Sequence, residues 1–167
     1  DTVYQEIEHG KKPVYTYGPI IHNEQVVDDL ENRGVQVLRS EEDLEKLSGG
    51  TVVIRSHGVS RDVCEKIEAH GMKIVDATCP FVKKIHRIVD EEGRKGRHVV
   101  IIGSADHPEV QGIMGWASGP VTVIHTAEEA EEFVPENGKP ISIVAQTTFN
   151  YNKFKDLVEI FLKKSYD

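Results

Sequence analysis

KIVDATCPFVKKIH, residues 73–86, runs an apolar, β-branched segment into Asp76, Thr78 and Cys79 and then into Pro80, which opens a stretch of helical periodicity. The first half reads as a strand and the second as an amphipathic helix, because proline is pre-set for the first turn of a helix and cannot donate to a sheet ladder. A strand that hands over directly to a helix is the repeating unit of an α/β fold. Cys79 stands at the seam between the two, where side chains can be presented without disturbing a core. Two readings of its thiol stay open at this point: a nucleophile or metal ligand favoured by helix N–H dipoles, or a small buried hydrophobe that ends a strand.

The same alternation continues in both directions. Apolar runs recur at VYTY (14–17), VQVL (35–38), TVVIRS (51–56), HVVIIG (98–103), VTVIH (121–125) and ISIVAQ (141–146). Between them lie the helical patterns EQVVDDLENRG, SRDVCEKIEAHG, PFVKKIHRIVDEEGRKG, TAEEAEEFV and YNKFKDLVEIFLKK, several closed by a glycine suited to a helix C-terminus. The strands mostly lack polar alternation, which predicts parallel sheets covered on both faces. The expected fold is α/β, with two small open, mostly parallel sheets flanked by helices. Strands fall on both sides of Cys79, so the expected domains are 1–79 and 80–167, with no low-complexity linker between them.

Composition narrows the function classes. A chain of 167 residues can bury a core without covalent staples, and two cysteines exclude a disulfide framework. No apolar run approaches the roughly twenty residues of a membrane span, and no export signal opens the chain. The expected setting is therefore the reducing cytoplasm. A net charge of −8 argues against a nucleic-acid partner, since phosphate contacts need a basic stripe. Asp1 opens DTVYQEIEHGKK, which reads as a helix already under way, so a longer parent chain is expected.

Parallel α/β sheets bind ligands outside the carboxyl ends of their strands. The strand exits here are TYGPIIHN with His22 and Asn23, RSHGV with Ser56 and His57, DATCP with Cys79, IIGSADHPEVQG with His107 and Glu109, and AQTTF with Gln146, Thr147 and Thr148. Three exit histidines point to a shared polar pocket. Neutral imidazole ligates metals and protonated imidazole binds phosphate oxygens, and the sequence does not choose between them. His9, His70, His86, His98 and His125 are read as structural or solvated, and Cys64, inside SRDVCEKIEAHG, as helix packing. Glu109, held beside histidines, suits a general acid, against the ordinary reading of an exposed loop carboxylate. Thr147 and Thr148 could orient a hydroxylated ligand, but paired threonines after a strand also serve as ordinary caps, and position alone favours the caps. No Walker loop, GxGxxG, GxSxG, CxxC or HExxH signature is present.

In order along the chain, GPIIHN, RSHGVS, DATCPFVKKIH, HPEVQGIMGW and AQTTF resemble the LytB/IspH family of 4-hydroxy-3-methylbut-2-enyl diphosphate reductases. The resemblance implies two of three similar α/β domains around a [4Fe–4S] cluster held by one cysteine from each of three segments. It makes Cys79 the middle cluster ligand, His22, His57 and His107 the diphosphate grip, and Glu109 the proton donor with Thr147 its orienting partner, so that Glu109, His107 and Thr147 are the expected catalytic residues and Thr147 also touches the substrate. It also implies a missing N-terminal segment and third domain that carry the other two cysteines. A chain with one of the three is not expected to hold the cluster or to be active alone. The implied partners are a small allylic diphosphate and ferredoxin or flavodoxin as electron donor. Apart from the resemblance, the residues alone leave two other functions open: a zinc hydrolase built on the exit histidines, or a non-catalytic phosphate-binding module.

Overall fold

The computed structural model describes residues 2–18 and 23–164. The chain divides into two compact units, Asp1–Cys79 and Pro80–Asp167. In the first, the order is α1 (Thr2–His9), β1 (Val14–Tyr17), α2 (Glu24–Asn32), β2 (Gln36–Leu38), α3 (Glu41–Glu45), β3 (Thr51–Ile54), α4 (Arg61–Ala69) and β4 (Lys73–Asp76). The strands form one parallel sheet in the order β2-β1-β3-β4. All four residues of β3 are buried. Val52 and Ile54 join Tyr15, Leu44 and Ile67 in one cluster, whereas Val53 joins Val3, Val14, Leu30 and Val35 in another. Successive side chains of a strand point to opposite faces, so two apolar clusters on alternating residues require an unbroken apolar run.

The second unit repeats the plan with α5 (Pro80–Arg94), β5 (His98–Ile102), α6 (Pro108–Met114), β6 (Val121–Ile124), α7 (Ala127–Glu132), a 3₁₀ turn at Glu136–Gly138, β7 (Ile141–Ala145) and α8 (Tyr151–Lys163). Its parallel sheet has the order β6-β5-β7. Central β5 is buried throughout. Val100 and Ile102 pack with Phe133, Leu157 and Phe161, and Val99 and Ile101 with Val89, Val110 and Ile113. The fold class is thus α/β with two parallel sheets.

Three details differ from the sequence reading. Strands β3, β5, β6 and β7 stop one or two residues before their runs do, whereas β1 and β2 end where theirs end. Helix α3 is too short to show periodicity. HPEVQGIM is not a loop: Pro108 takes the first helical position of α6 and the Nδ1 of His107 accepts the Glu109 N–H as the N-cap, at 3.1 Å.

Candidate functional site

Because every strand pair is parallel, each sheet delivers all its carboxyl ends to one edge. In the first unit β3 leaves through Arg55, Ser56 and His57, in a turn closed by the Gly58 N–H on the Arg55 carbonyl at 3.0 Å. Strand β4 leaves through Asp76, whose Oδ1 accepts the Thr78 N–H at 2.9 Å. The Cys79 N–H then donates to the Ser56 carbonyl at 2.9 Å. That bond fastens the cysteine loop to the histidine loop, so two of the expected site residues, His57 and Cys79, share one corner of the sheet. Cys79 is partly exposed and directly precedes Pro80. Cys64 is a different kind of cysteine: burial, with the negative charges of Asp76, Glu68 and Glu65, pushes its thiol up to about 11, and it packs on the apolar core. His22 lies outside the described residues.

Arg55 was not singled out from sequence. Its guanidinium lies over Gly18, where an added Cβ would come within 2.7 Å of Cζ. Its buried Nε has no hydrogen-bond partner among the described residues, and burial lowers its pKa. The signal available in the sequence was a lone cation ending an otherwise apolar strand with no acid near it.

In the second unit the exits of β5 and β7 meet. Glu109, in the first turn of α6, is 1% exposed. One of its oxygens, Oε1, accepts the Thr147 N–H at 2.7 Å, and Oε2 accepts the Thr147 hydroxyl at 2.9 Å. An N–H can only donate, so Oε1 is held as an acceptor. A hydroxyl both donates and accepts, so a proton carried by Glu109 belongs on Oε2 and can be exchanged with Thr147 Oγ1. His107 is half-buried beside this pair. Its Nδ1 is an acceptor in the N-cap bond, so the neutral ring carries its proton on Nε2, as a hydrogen-bond donor. The structure therefore joins His107, Glu109 and Thr147, and makes the glutamate the reverse of an exposed loop carboxylate.

The other histidines have local roles. His9 is exposed, and His70 Nδ1 meets the Lys66 carbonyl at 2.7 Å. His86 stacks on Trp116 and His125 lies edge-on to Phe149. His98 is buried, with Nε2 at 2.8 Å from Thr122 Oγ1 and Nδ1 accepting the Glu136 N–H at 3.0 Å. Burial lowers its pKa. Among the described residues no group of three or more His, Cys, Asp or Glu side chains is gathered to hold a metal ion. Cys79 fits one thiolate corner of an iron–sulfur cluster, and the described donors do not complete the set.

The family profile described as LytB protein matches residues 1–167. The chain belongs to the LytB family. A LytB relative from Thermoanaerobacter sp. (strain X514), named 4-hydroxy-3-methylbut-2-enyl diphosphate reductase, is 44% identical over the whole chain. One of the same name from Geobacter sulfurreducens is 47% identical over 90% of the chain. The chain spans only 58% and 51% of the length of these two relatives. Among solved structures, one titled (E)-4-hydroxy-3-methyl-but-2-enyl diphosphate reductase, the terminal enzyme of the non-mevalonate pathway, superposes with a TM-score of 0.80 at 39% identity, over 96% of this chain and 57% of that one. The Plasmodium falciparum reductase shares the fold, with a TM-score of 0.85 at 24% identity over 95% of this chain and 49% of that one. No helix among the described residues is long and apolar enough to cross a membrane.

Proposed function

We propose that this chain carries part of the active site of a 4-hydroxy-3-methylbut-2-enyl diphosphate reductase. The reaction removes an allylic hydroxyl as water with two electrons and two protons, leaving isopentenyl and dimethylallyl diphosphates. The observation that carries the reading is the buried Glu109 carboxyl with both oxygens on Thr147, in a chain 44% identical to a protein of that name. An allylic C–O bond breaks reductively only when the leaving oxygen is neutralised, so a proton held at Glu109 Oε2 and aimed by the Thr147 hydroxyl performs a necessary task. His22, His57 and His107 bind the diphosphate, with His107 donating from Nε2. Cys79 is one thiolate ligand of a [4Fe–4S] cluster, which when bound supplies the electrons and a Lewis acid for the hydroxyl oxygen. The remaining ligands come from outside the described donor set, so this chain alone holds little iron. The electron donor is a ferredoxin or flavodoxin, and the enzyme works in the cytoplasm.

A zinc hydrolase on the same histidines has less support. The relatives of the chain are named reductases, and Glu109 holds Thr147 through both its oxygens. The test is anaerobic reconstitution of the full-length protein that contains this chain. We expect a brown protein that converts the allylic diphosphate, and loss of both iron and turnover in Cys79→Ser. A colourless protein holding about one zinc per chain, lost on His57→Ala, would overturn the reading.

A further inference from the structure

The sequence offers Glu109 two adjacent threonines, chemically alike, and the structure gives it only one. Gln146, the residue ahead of them, engages the other. It is the first residue after β7 and is 8% exposed. Its backbone is held at both ends: its N–H donates to the Ile102 carbonyl at 2.9 Å, continuing the β5–β7 ladder, and its carbonyl accepts the Phe149 N–H at 3.0 Å, closing a turn around Thr147 and Thr148. Its side chain reaches two loops at once. Oε1 accepts the Ser104 N–H at 3.1 Å, and Nε2 donates to the Thr148 hydroxyl at 3.1 Å. Thr148 is thereby engaged on the side of Gln146, while the Thr147 N–H and hydroxyl both point to Glu109.

The loop after β5 is shaped to receive this amide. A Cβ on Gly103 would stand 2.9 Å from Gln146 Cβ, 2.9 Å from Oε1 and 3.0 Å from Val110 Cγ2, so a side chain there would have to displace the glutamine. Gly103 thus lies close to both Gln146 and Val110, the residue after Glu109, and the glutamine itself is bonded to the loop that precedes Glu109 through the Ser104 N–H. A buried amide whose donor and acceptor are both used in fixed directions makes a rigid bracket, since leaving either unpaired costs more than the bond itself contributes.

We infer that Gln146 is a positioning residue that selects Thr147, and not Thr148, as the partner of Glu109, by clamping the β7 exit to the β5 exit. The inference rests on the proposed role of Glu109 and Thr147 in proton delivery. It concerns the chemical step and not the diphosphate grip, so its effect belongs in kcat.

The test uses the full-length reductase, loaded with its cluster and assayed anaerobically, with rates expressed per folded, iron-loaded protein. Gln146→Met keeps the volume and removes both hydrogen bonds. We expect kcat to fall about tenfold to a hundredfold, with KM for the allylic diphosphate changed less than about twofold, as a misplaced catalytic group does. Combined with Thr147→Val, the change should be non-additive, with the double variant no slower than Thr147→Val alone. Should Gln146→Met fail to fold, exposed Thr148 probes the same bond: Thr148→Val should lower kcat, and Thr148→Ser, which keeps the hydroxyl, should restore most of it. An unchanged kcat in Gln146→Met or, where it does not fold, in Thr148→Val would overturn the inference while Thr147→Val remains slow. So would a Gln146→Met effect that multiplies in full with that of Thr147→Val. An unchanged kcat in Thr147→Val itself would instead remove the reading of Glu109 and Thr147 on which the inference stands.

Discussion

At the scale of single residues, the same side-chain type takes opposite roles according to what burial and bonding allow. His107 is an N-cap whose acceptor nitrogen fixes its donor nitrogen, whereas His98, the first residue of β5, is buried with both ring nitrogens engaged. Burial lowers the His98 pKa, with Lys139 acting in the same direction and Glu136 opposing. The unfolded chain then binds more protons than the folded one just below the ordinary histidine value of about 6.5, so stability is full above that pH and is lost as pH falls through the lowered value. Denaturant titrations of the protein between about pH 5 and 8 should show that loss, and His98→Gln should flatten it even though it lowers stability overall. A profile unchanged by the substitution would mean that the titration lies elsewhere. Residue identities were legible in the sequence at His57, Cys79, His107 and Glu109 as strand-exit groups. The burial of Glu109 was not, because histidine is an uncommon N-cap and HPEV does not announce the helix that carries the carboxylate inward.

At the scale of elements, the alternation of strand and helix was plain because central strands covered on both faces are buried at every position and carry apolar runs, residues 52–54 in β3 and 99–102 in β5. Close approaches between elements leave no such trace. Gly93, inside α5, reads as a weak spot in a helix, yet a Cβ there would stand 2.7 Å from the Gly119 N and 3.0 Å from the Ser118 carbonyl carbon. The Ser118 hydroxyl donates to Asp90 on the same helix, which keeps that loop from yielding. Helix propensity alone favours Gly93→Ala by about 1 kcal/mol. Overpacking against backbone costs about 1–3 kcal/mol, so steric conflict should prevail and the melting temperature should fall. A raised melting temperature in Gly93→Ala would show that the α5 contact is looser than described. Gly103 follows the same rule at the site: its missing side chain is the space that Gln146 occupies.

At the scale of the whole molecule, two units built on one plan each bring their strand exits to one edge, and chemistry-bearing residues collect there because exits are the positions where side chains are not needed for the core. Within the first unit these are Cys79 and His57, on loops joined by a backbone bond, and within the second His107, Glu109 and Thr147. Family membership was legible from five short motifs, and the four that fall wholly on described residues follow strands β3, β4, β5 and β7. The bracket formed by Gln146 was not, because it depends on register between β5 and β7, residues more than forty positions apart. The most direct test of the account is Glu109→Gln in the full-length, cluster-loaded protein, assayed anaerobically with the allylic diphosphate and an artificial reductant. The amide keeps the shape and cannot deliver a carboxylic proton, so kcat should fall about a hundredfold or more while iron content and KM hold. A variant that turns over within about threefold of the parent would contradict the assignment of Glu109 as proton donor.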